Sequence, residues 1–238
     1  MSDMKFWLVA ILALIAFPVA FAEKGTFVDQ VQFVQYLDEN TALGEIRNGN
    51  LDIYYFRVSS DRIETEKSRE GIQVFESTGG SYSILTNPSV SESFNPFSIK
   101  EIRFALNYLF DKKFIVNELI GGYGRTMISN YGVFAADYLS IIDELESFHF
   151  KYNPSLANQL ITKELEKVGA EKIDGTWYHD GKQVEITFFI RSDDPVRKSI
   201  GEILSSELEK IGFKVNKDFG DLNKAFVVVY GSNPADQK

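Results

Sequence analysis

The sequence predicts an α/β protein with mixed sheets and flanking helices, arranged in two subdomains. Short segments rich in β-branched and aromatic residues are interleaved with segments whose apolar residues recur at helical spacing. A stretch bearing Ser and Pro, residues 89–96, separates a strand-rich first part from a helix-rich second part. Such a stretch is typical of a linker between compact units.

Composition narrows the possible functions before any motif is considered. The 238 residues are 44% hydrophobic, which supports a sizeable core and excludes global disorder. The net charge of −9 argues against a nucleic-acid partner, because binding to phosphates needs a basic face. With no cysteine, disulfides, thiol catalysis and Cys-based metal sites are excluded. His149 and His179 lie in different segments, so we expect neither a His-rich metal centre nor a cofactor.

Residues 1–22 have the pattern of a secretory signal peptide. Lys5 precedes an uncharged, mostly apolar run over residues 6–22, which ends in Ala20-Phe21-Ala22 before Glu23. Small residues at the third and last positions before a cleavage site are typical of signal peptides. An uncleaved membrane anchor is the alternative. Either way, we expect an exported chain on the periplasmic or extracellular side of a membrane.

Residues 23–88 read as a strand-rich region. Residues 26–36 are predicted to form a strand, and Asp38 to cap a helix that runs to Arg47. Residues 51–56 read as the second strand of a parallel βαβ unit. Residues 72–75 and 81–85 are predicted as two further short strands.

Helical patterns follow the linker. Ser98 and Glu101 have the spacing of a capping box before a helix, and Asp111 can cap a second helix that ends at Gly121-Gly122. Residues 134–150 give no clear pattern. Asn153-Pro154 then opens a helix that ends at Gly169.

The remaining sequence alternates strands and helices. Asp174-Gly175 and Asp180-Gly181 are hairpin-turn signals around residues 176–179, and residues 184–190 alternate as a strand. Asp194-Pro195 opens a helix that ends at Gly212. Residues 213–215 and 225–230 are predicted as two more strands.

Several motifs, taken in order, resemble one family. Ile102-Arg103-Phe104-Ala105-Leu106-Asn107-Tyr108 followed by Asp111-Lys112 is the most specific of them. The others are Gly49-Asn50-Leu51-Asp52-Ile53, Tyr152-Asn153-Pro154 and Asp174-Gly175-x-Trp177, with Asn50 in place of the family's usual Glu. The set covers roughly residues 28–215 and resembles the extracytoplasmic solute-binding proteins of ABC transporters, family 5, the oligopeptide, dipeptide and nickel-binding class.

The resemblance implies a type II periplasmic-binding-protein fold, a clamp of two lobes. Because members of this family are usually much longer, it also implies an incomplete clamp. Residues 23–88 would then be part of lobe one with the hinge approach, and residues 97–238 the first portion of lobe two.

The function implied by the resemblance is capture of a peptide or another small solute by hinge closure. An ABC permease in the membrane would be the partner, and the binding protein a monomer. Tyr82 and Asn87 are the candidate ligand-binding residues, because segments at a domain interface often line the site. We expect Arg103 and Asp111 to be structural, and Trp177 to cover the edge of its domain.

Two other classes of function stay open on sequence alone. A secreted hydrolase could use carboxylates, for which the candidates are Asp137, Asp143, Glu144 and Glu146. No Ser-His-Asp or His-Glu-x-x-His pattern supports such chemistry, and acidic residues this close together usually form a solvated face. A surface or adhesion module fits the acidic, aromatic-rich composition equally well.

Overall fold

The computed structural model describes residues 27–77, 80–90, 93–131 and 135–231. The predicted signal segment, residues 1–22, lies outside these ranges. Within them, no helix has the length and apolar character needed to cross a membrane. Internal contacts divide the chain into one unit up to Phe56 and a second from Arg57 onward. The assignment of residues 23–88 and 97–238 to two lobes stays a prediction.

Among its described residues, 27–56, the first unit has one helix, α1 (Glu39–Arg47), at the predicted place. Asp38 Oδ2 accepts hydrogen bonds from Thr41 N at 2.8 Å and from Thr41 Oγ1 at 2.9 Å. These bonds favour the charged carboxylate and lower the pKa of Asp38. Ala42 and Leu43 are buried, as the helical spacing predicts.

The strands predicted on either side of α1 are wrong, and with them the βαβ unit. The described residues of 26–36 and 51–56 are irregular, and Phe27, Phe33 and Tyr55 are largely exposed. A strand is held by ladder bonds to a neighbour, so β-forming residues alone do not make one. Neither segment has such a neighbour within the described part of the chain.

The second unit begins with α2 (Ser60–Lys67) and a long irregular stretch. Residues 72–75 and 81–85, predicted as strands, have no ladder partner among the described residues and are a further correction. The linker after them is anchored by Asn95, whose Nδ2 donates to Asn87 O at 2.8 Å and to Ser89 O at 3.0 Å.

The helix of the family motif, α3 (Lys100–Leu109), follows a 3₁₀ turn over Pro96–Ser98. The predicted capping box is wrong, because this turn moves the N-cap position to Ile99 and Ser98 Oγ donates to Asn95 O instead. Arg103 Nη1 donates to Phe97 O at 2.6 Å and to Ser98 O at 3.1 Å. Arg103 therefore has a structural role, because it holds the residues just before α3 against the helix to which it belongs.

The second half of the motif fixes the exit from α3. The short helix α4 (Lys112–Phe114) continues into a π turn, Ile115–Leu119, and Asp111 caps it by accepting from Phe114 N at 2.9 Å. Lys112 Nζ donates to Asn107 Oδ1 at 3.0 Å and to Met127 O at 3.1 Å. Burial disfavours the charged ammonium and lowers the pKa of Lys112.

This lowered pKa predicts a pH-dependent stability. At neutral pH the folded chain holds the Lys112 ammonium charged in partly buried surroundings, which lowers the free energy of unfolding. This loss of stability disappears as the pH rises through the folded pKa of Lys112 toward 10.5, the ordinary pKa of lysine. Denaturant unfolding of the wild type and of Lys112→Met should therefore show the wild type gaining stability relative to the variant from neutral pH to pH 10.5. Lys113→Met, at an exposed lysine, is the control. If the difference in free energy of unfolding between the wild type and Lys112→Met does not change with pH, as expected for the control, the account is contradicted.

The core of the second unit forms where α3 packs against α6 (Pro154–Lys167). Each helix presents an apolar stripe, and the most buried members are Ile102, Ala105, Leu109, Ala157, Ile161 and Leu165. Asn153 caps α6 through its side chain, as predicted. Residues 134–150, which gave no clear pattern, contain α5 (Ala136–Ser147).

Three short antiparallel strands close one side of this core. They are β1 (Glu171–Ile173), β2 (Thr176–His179) and β3 (Lys182–Gln183), joined at the two predicted Asp-Gly turns. All four turn residues have positive φ, as two-residue hairpin turns of type I′ require. Trp177, expected to cover an edge, is instead a core residue that is only 1% exposed.

The last layer is a parallel strand–helix–strand unit. β4 (Glu185–Arg191) and β5 (Lys214–Gly220) pair in parallel, and α7 (Pro195–Lys210) connects them and packs on both. The strand predicted over 225–230 is wrong, because these residues belong to α8 (Leu222–Tyr230). Asp221 starts that helix by accepting from Lys224 N at 2.9 Å, and this cap outweighs the β propensity of the valines.

Candidate functional site

The candidate site lies at the edge where β4 and β5 both end. In open α/β sheets, ligands bind outside the carboxyl ends of parallel strands. Here those ends are Arg191 and Gly220. Ser192 N donates to Gly220 O at 2.9 Å, and this hydrogen bond holds together the two segments that leave the strands. The first turns of α7 and α8 begin at this edge.

The first charged pair at this edge is internally satisfied. Arg191 Nε and Nη2 donate to the two oxygens of Asp193 at 2.9 and 2.7 Å. This bidentate contact lowers the pKa of Asp193 and raises that of Arg191. Because each charge already has a complementary partner, the pair shapes the edge and offers little to a ligand.

Asp194 is the second acidic residue, and it has two tasks. Its Oδ1 accepts from Val196 N at 3.0 Å and from Arg197 N at 3.1 Å, which caps α7. Its Oδ2 lies 3.5 Å from Arg197 Nε and 3.8 Å from Arg57 Nη2. One carboxylate therefore faces two guanidinium groups and the start of a helix.

Tyr82, one of the two predicted ligand-binding residues, lies close to both of those guanidinium groups. The centre of its ring is 4.9 Å from Arg197 Cζ and 5.8 Å from Arg57 Cζ. Its hydroxyl oxygen accepts a hydrogen bond from Arg57 Nη1. We call Arg57, Tyr82, Asp194 and Arg197 the arginine cluster.

Asn87, the other predicted residue, makes its described contacts with residues of the linker. Its Oδ1 accepts from Ser89 N at 3.0 Å, and its carbonyl oxygen accepts from Asn95. The structure thus brings Tyr82 to the carboxyl edge of the sheet and places Asn87 in a turn of the chain that leads to α3. A ligand contact by either residue stays a prediction.

Sequence reasoning missed two of the four members of the arginine cluster. The sequence marks Asp194 as a cap and Tyr82 as a ligand candidate, but Arg57 and Arg197 belong to no motif. The signal available for Arg197 was its place one turn after a strand and an Asp-Pro cap. Arg57 gave no such signal, because only the folded chain brings it beside Tyr82.

A second depression is lined by α4, by the π turn that follows it and by α5. It has a volume of about 590 Å³ and is open to solvent. Its lining includes two basic residues, one acidic residue and an apolar floor, namely Lys113, Arg125, Glu146, Val116, Tyr138 and Ile142. No ion pair is described among these charges, so the arginine cluster is the better-defined site.

The carboxylates considered for a hydrolase do not form a site. Asp137, Asp143, Glu144 and Glu146 all lie on α5 and are all exposed. Among the described residues, no three His, Asp or Glu side chains are grouped so that they could hold a metal ion. The described geometry gives these carboxylates no shielded surroundings in which one could act as an acid and another as a base.

Substitution of Asp194 separates its two tasks. Asp194→Ala removes the cap of α7 and is expected to lower the free energy of unfolding by about 0.5 to 2 kcal/mol. Asp194→Asn keeps an oxygen that caps the helix and should cost only a small part of that, while removing the charge between the arginines. Urea unfolding of both variants measures this, and equal losses would show that the cap is not the source of the stability.

A family comparison covers nearly the whole chain. Residues 18–233 match the family model described as bacterial extracellular solute-binding proteins, family 5 Middle. Among curated proteins, a probable ABC transporter-binding protein of Deinococcus radiodurans is 24% identical over 201 residues, which are 80% of this chain and 33% of that protein.

Solved structures show the same fold. The oligopeptide-binding protein AppA of Bacillus subtilis, in complex with a nonapeptide, superposes with a TM-score of 0.56 at 22% identity, over 80% of this chain and 36% of that one. A periplasmic oligopeptide-binding protein of Thermotoga maritima with bound mannohexaose gives 0.55 at 20% identity, over 82% and 36%. The chain spans about a third of the length of the relatives that it matches.

Proposed function

The chain belongs to the bacterial extracellular solute-binding proteins of family 5, and from this we propose that it captures a small solute outside the cytoplasmic membrane for an ABC permease. A peptide is the proposed solute. The observation that carries the proposal is the arginine cluster at the carboxyl edge of the parallel sheet, where α/β folds bind ligands. The family match supports a binding protein rather than an enzyme.

The proposed mechanism is a shift in conformational population and requires no covalent step. A solute first binds to one surface, and contacts with a second surface then favour the closed form. Residues 81–88, at the end of the segment predicted as part of lobe one, are the proposed hinge approach. Asn95 holds this segment through hydrogen bonds to Asn87 O and Ser89 O.

Export is part of the proposal. The apolar run over residues 6–22, closed by Ala20-Phe21-Ala22, would direct the chain across the membrane. Mass spectrometry of the mature N-terminus after expression in a bacterial host tests this directly. We expect cleavage after Ala22, and an intact Met1 in a cytoplasmic fraction would contradict export.

Binding itself is tested by isothermal titration calorimetry on the full chain with a pool of di- to pentapeptides. Saturable heat is the expected result. An amino-acid mixture of the same composition is the control, because peptide capture predicts little heat from it. No saturable heat from the peptide pool, together with hydrolysis of the pool, would replace the binding proposal with the hydrolase alternative.

A further inference from the structure

We propose that residues 27–37 form an interface between two copies of this chain, in which the segment pairs with itself as an antiparallel two-stranded sheet centred on Gln32. The inference concerns a surface of the first unit and goes beyond solute capture. It departs from the monomer that the family resemblance implies. It follows from an exposed apolar face, from a palindromic side-chain pattern and from the near absence of charge in the segment.

Large apolar side chains of the segment are exposed in the described structure. Phe27 is 92% exposed, Val31 65%, Phe33 81% and Leu37 94%. Side chains alternate between two faces along an extended chain, so these four, all at odd positions, would share one face. Together they would form a contiguous apolar patch, which is typical of an interaction surface.

The backbone of the segment also lacks a pairing partner within the described part of the chain. Residues 29–36 belong to no described strand, and no described backbone hydrogen bond involves them. Their valine, phenylalanine and tyrosine residues favour a strand, but a strand needs a neighbour to form ladder bonds. A second copy of the segment would supply that neighbour, because an unpaired strand edge is a template for another chain.

The pattern of the exposed face indicates that the neighbour is a second copy. In an antiparallel pair related by a two-fold axis, positions at equal distances before and after the central residue face each other. With Gln32 at the centre, Phe27 faces Leu37 of the second copy, and Val31 faces Phe33 of the second copy. Every large apolar residue of this face then meets another one, as favourable cross-strand pairs require.

Charge supports the same register. Asp29 is the only charged residue in the segment, and in this register it faces Gln35. Moving the centre by one residue in either direction would place Asp29 opposite Phe33 or Leu37. The two Asp29 carboxylates of a pair would lie about 20 Å apart along the strands, beyond the Debye length of about 10 Å at 0.1 M salt. On a chain with a net charge of −9, this segment lets two copies approach with little repulsion.

The size of the contact predicts a dimer that dissociates on dilution. A standard stable interface has about 20 to 30 residues a side, and residues 27–37 are fewer than that. Analytical ultracentrifugation of the full chain from about 1 μM to about 1 mM should show monomer and dimer in exchange. Growth should stop at the dimer, because a two-fold contact closes on itself. A monomer throughout this range, or assemblies larger than a dimer, overturns the inference.

A single engineered cysteine tests the register, because the chain contains no cysteine of its own. Only the central residue of the pair faces its own copy, at a Cβ separation of about 5 Å, so Gln32→Cys should form a disulfide-linked dimer under mild oxidation. Gln30→Cys is the matched control, since its two copies would lie about 14 Å apart, too far for a disulfide. Equal cross-linking of the two variants, or none by either at concentrations where the wild type is dimeric, overturns the assignment.

Substitutions at facing positions assign the dimer to side chains. Val31→Lys acts twice in a two-fold contact and should weaken dimerisation at least about tenfold. Adding Phe33→Glu should restore much of the loss, because each lysine then faces a glutamate of the second copy, whereas adding Phe33→Lys should not. Val90→Lys, at a valine that is 89% exposed elsewhere, is the control and should have no effect. Urea unfolding at low concentration checks that each variant folds like the wild type.

The surface responsible for any dimer can thus be identified. A dimer that survives Val31→Lys combined with Phe33→Lys is held by another surface and overturns the inference. Restoration by Phe33→Glu, together with cross-linking of Gln32→Cys alone, supports it. Residues 27–37 contain no member of the arginine cluster, so the result for dimerisation stands apart from the result for solute capture.

Discussion

Replacement of Trp177 by alanine is expected to lower the free energy of unfolding by about 3 to 5 kcal/mol, the range for large aromatic residues in cores. The ring is 1% exposed and lies in the same core cluster as Ala170, Ile211 and Phe213. Its Nε1 donates to Ile211 O at 3.0 Å, and Lys172 Nζ donates to the same oxygen at 3.0 Å, so truncation removes one of two donors to this carbonyl and also leaves a cavity. Equilibrium unfolding in urea measures the loss.

Two further variants show whether packing or the hydrogen bond dominates at Trp177. Trp177→Phe keeps most of the ring and should lose a smaller amount, mainly the bond to Ile211 O. Ile173→Ala on the neighbouring strand β1 is a matched surface control, because Ile173 is half exposed, and it should cost little. A loss below about 1 kcal/mol for Trp177→Ala, the scale of an ordinary surface substitution, would contradict the placement of the ring in the core.

The second large effect is expected at Gly201, where α7 approaches β4. A Cβ at this position would lie 2.6 Å from Ile190 Cγ2 and 2.8 Å from Ile190 Cγ1. Gly201→Ala should therefore lower the free energy of unfolding by about 1 to 3 kcal/mol through overpacking, although alanine is normally the better helix former. We expect the strain to displace α7, and with it Asp194 and Arg197.

A matched glycine and a compensating substitution test that explanation. Gly44 lies in α1, and a Cβ added there would have no atom within 4 Å, so Gly44→Ala should stabilise the chain by up to about 1 kcal/mol. Ile190→Ala removes the atoms that would clash, so the double variant should lose less than the sum of the two single variants. Strict additivity would contradict a steric origin.

Features that depend on neighbouring residues in the sequence were predictable. Asp38, Asp111, Asn153 and Asp194 all cap the helices predicted to follow them, because a cap bonds to N–H groups two or three residues away. The two Asp-Gly turns were predictable for the same reason, since they need only positive φ at adjacent residues.

Features that depend on distant partners were not predictable. Residues 51–56 have the composition of a strand, but a strand requires a neighbour, and none is present in the described structure. Residues 225–230 also have the composition of a strand, but they belong to a helix that Asp221 caps. The arginine cluster joins Arg57, Tyr82 and Arg197, which no local pattern connects.

The most specific sequence motif turns out to be architectural. Within it, Arg103 fixes the chain entering α3, while Lys112 and Asn107 fix the exit. None of these three side chains belongs to the arginine cluster. The motif therefore identified the family through the residues that hold its core together, while the candidate binding residues lie outside it.

The most direct test of the account is to locate the ligand on the protein. Backbone amide shifts of the full chain, labelled with ¹⁵N and ²H, are recorded by NMR while the pool of di- to pentapeptides is added. We expect the largest shifts at Arg57, Tyr82 and residues 192–197, around the carboxyl edge of β4 and β5. Shifts concentrated instead around Lys113 and Arg125, with the arginine cluster unchanged, would contradict the central claim that this edge is the ligand-binding edge.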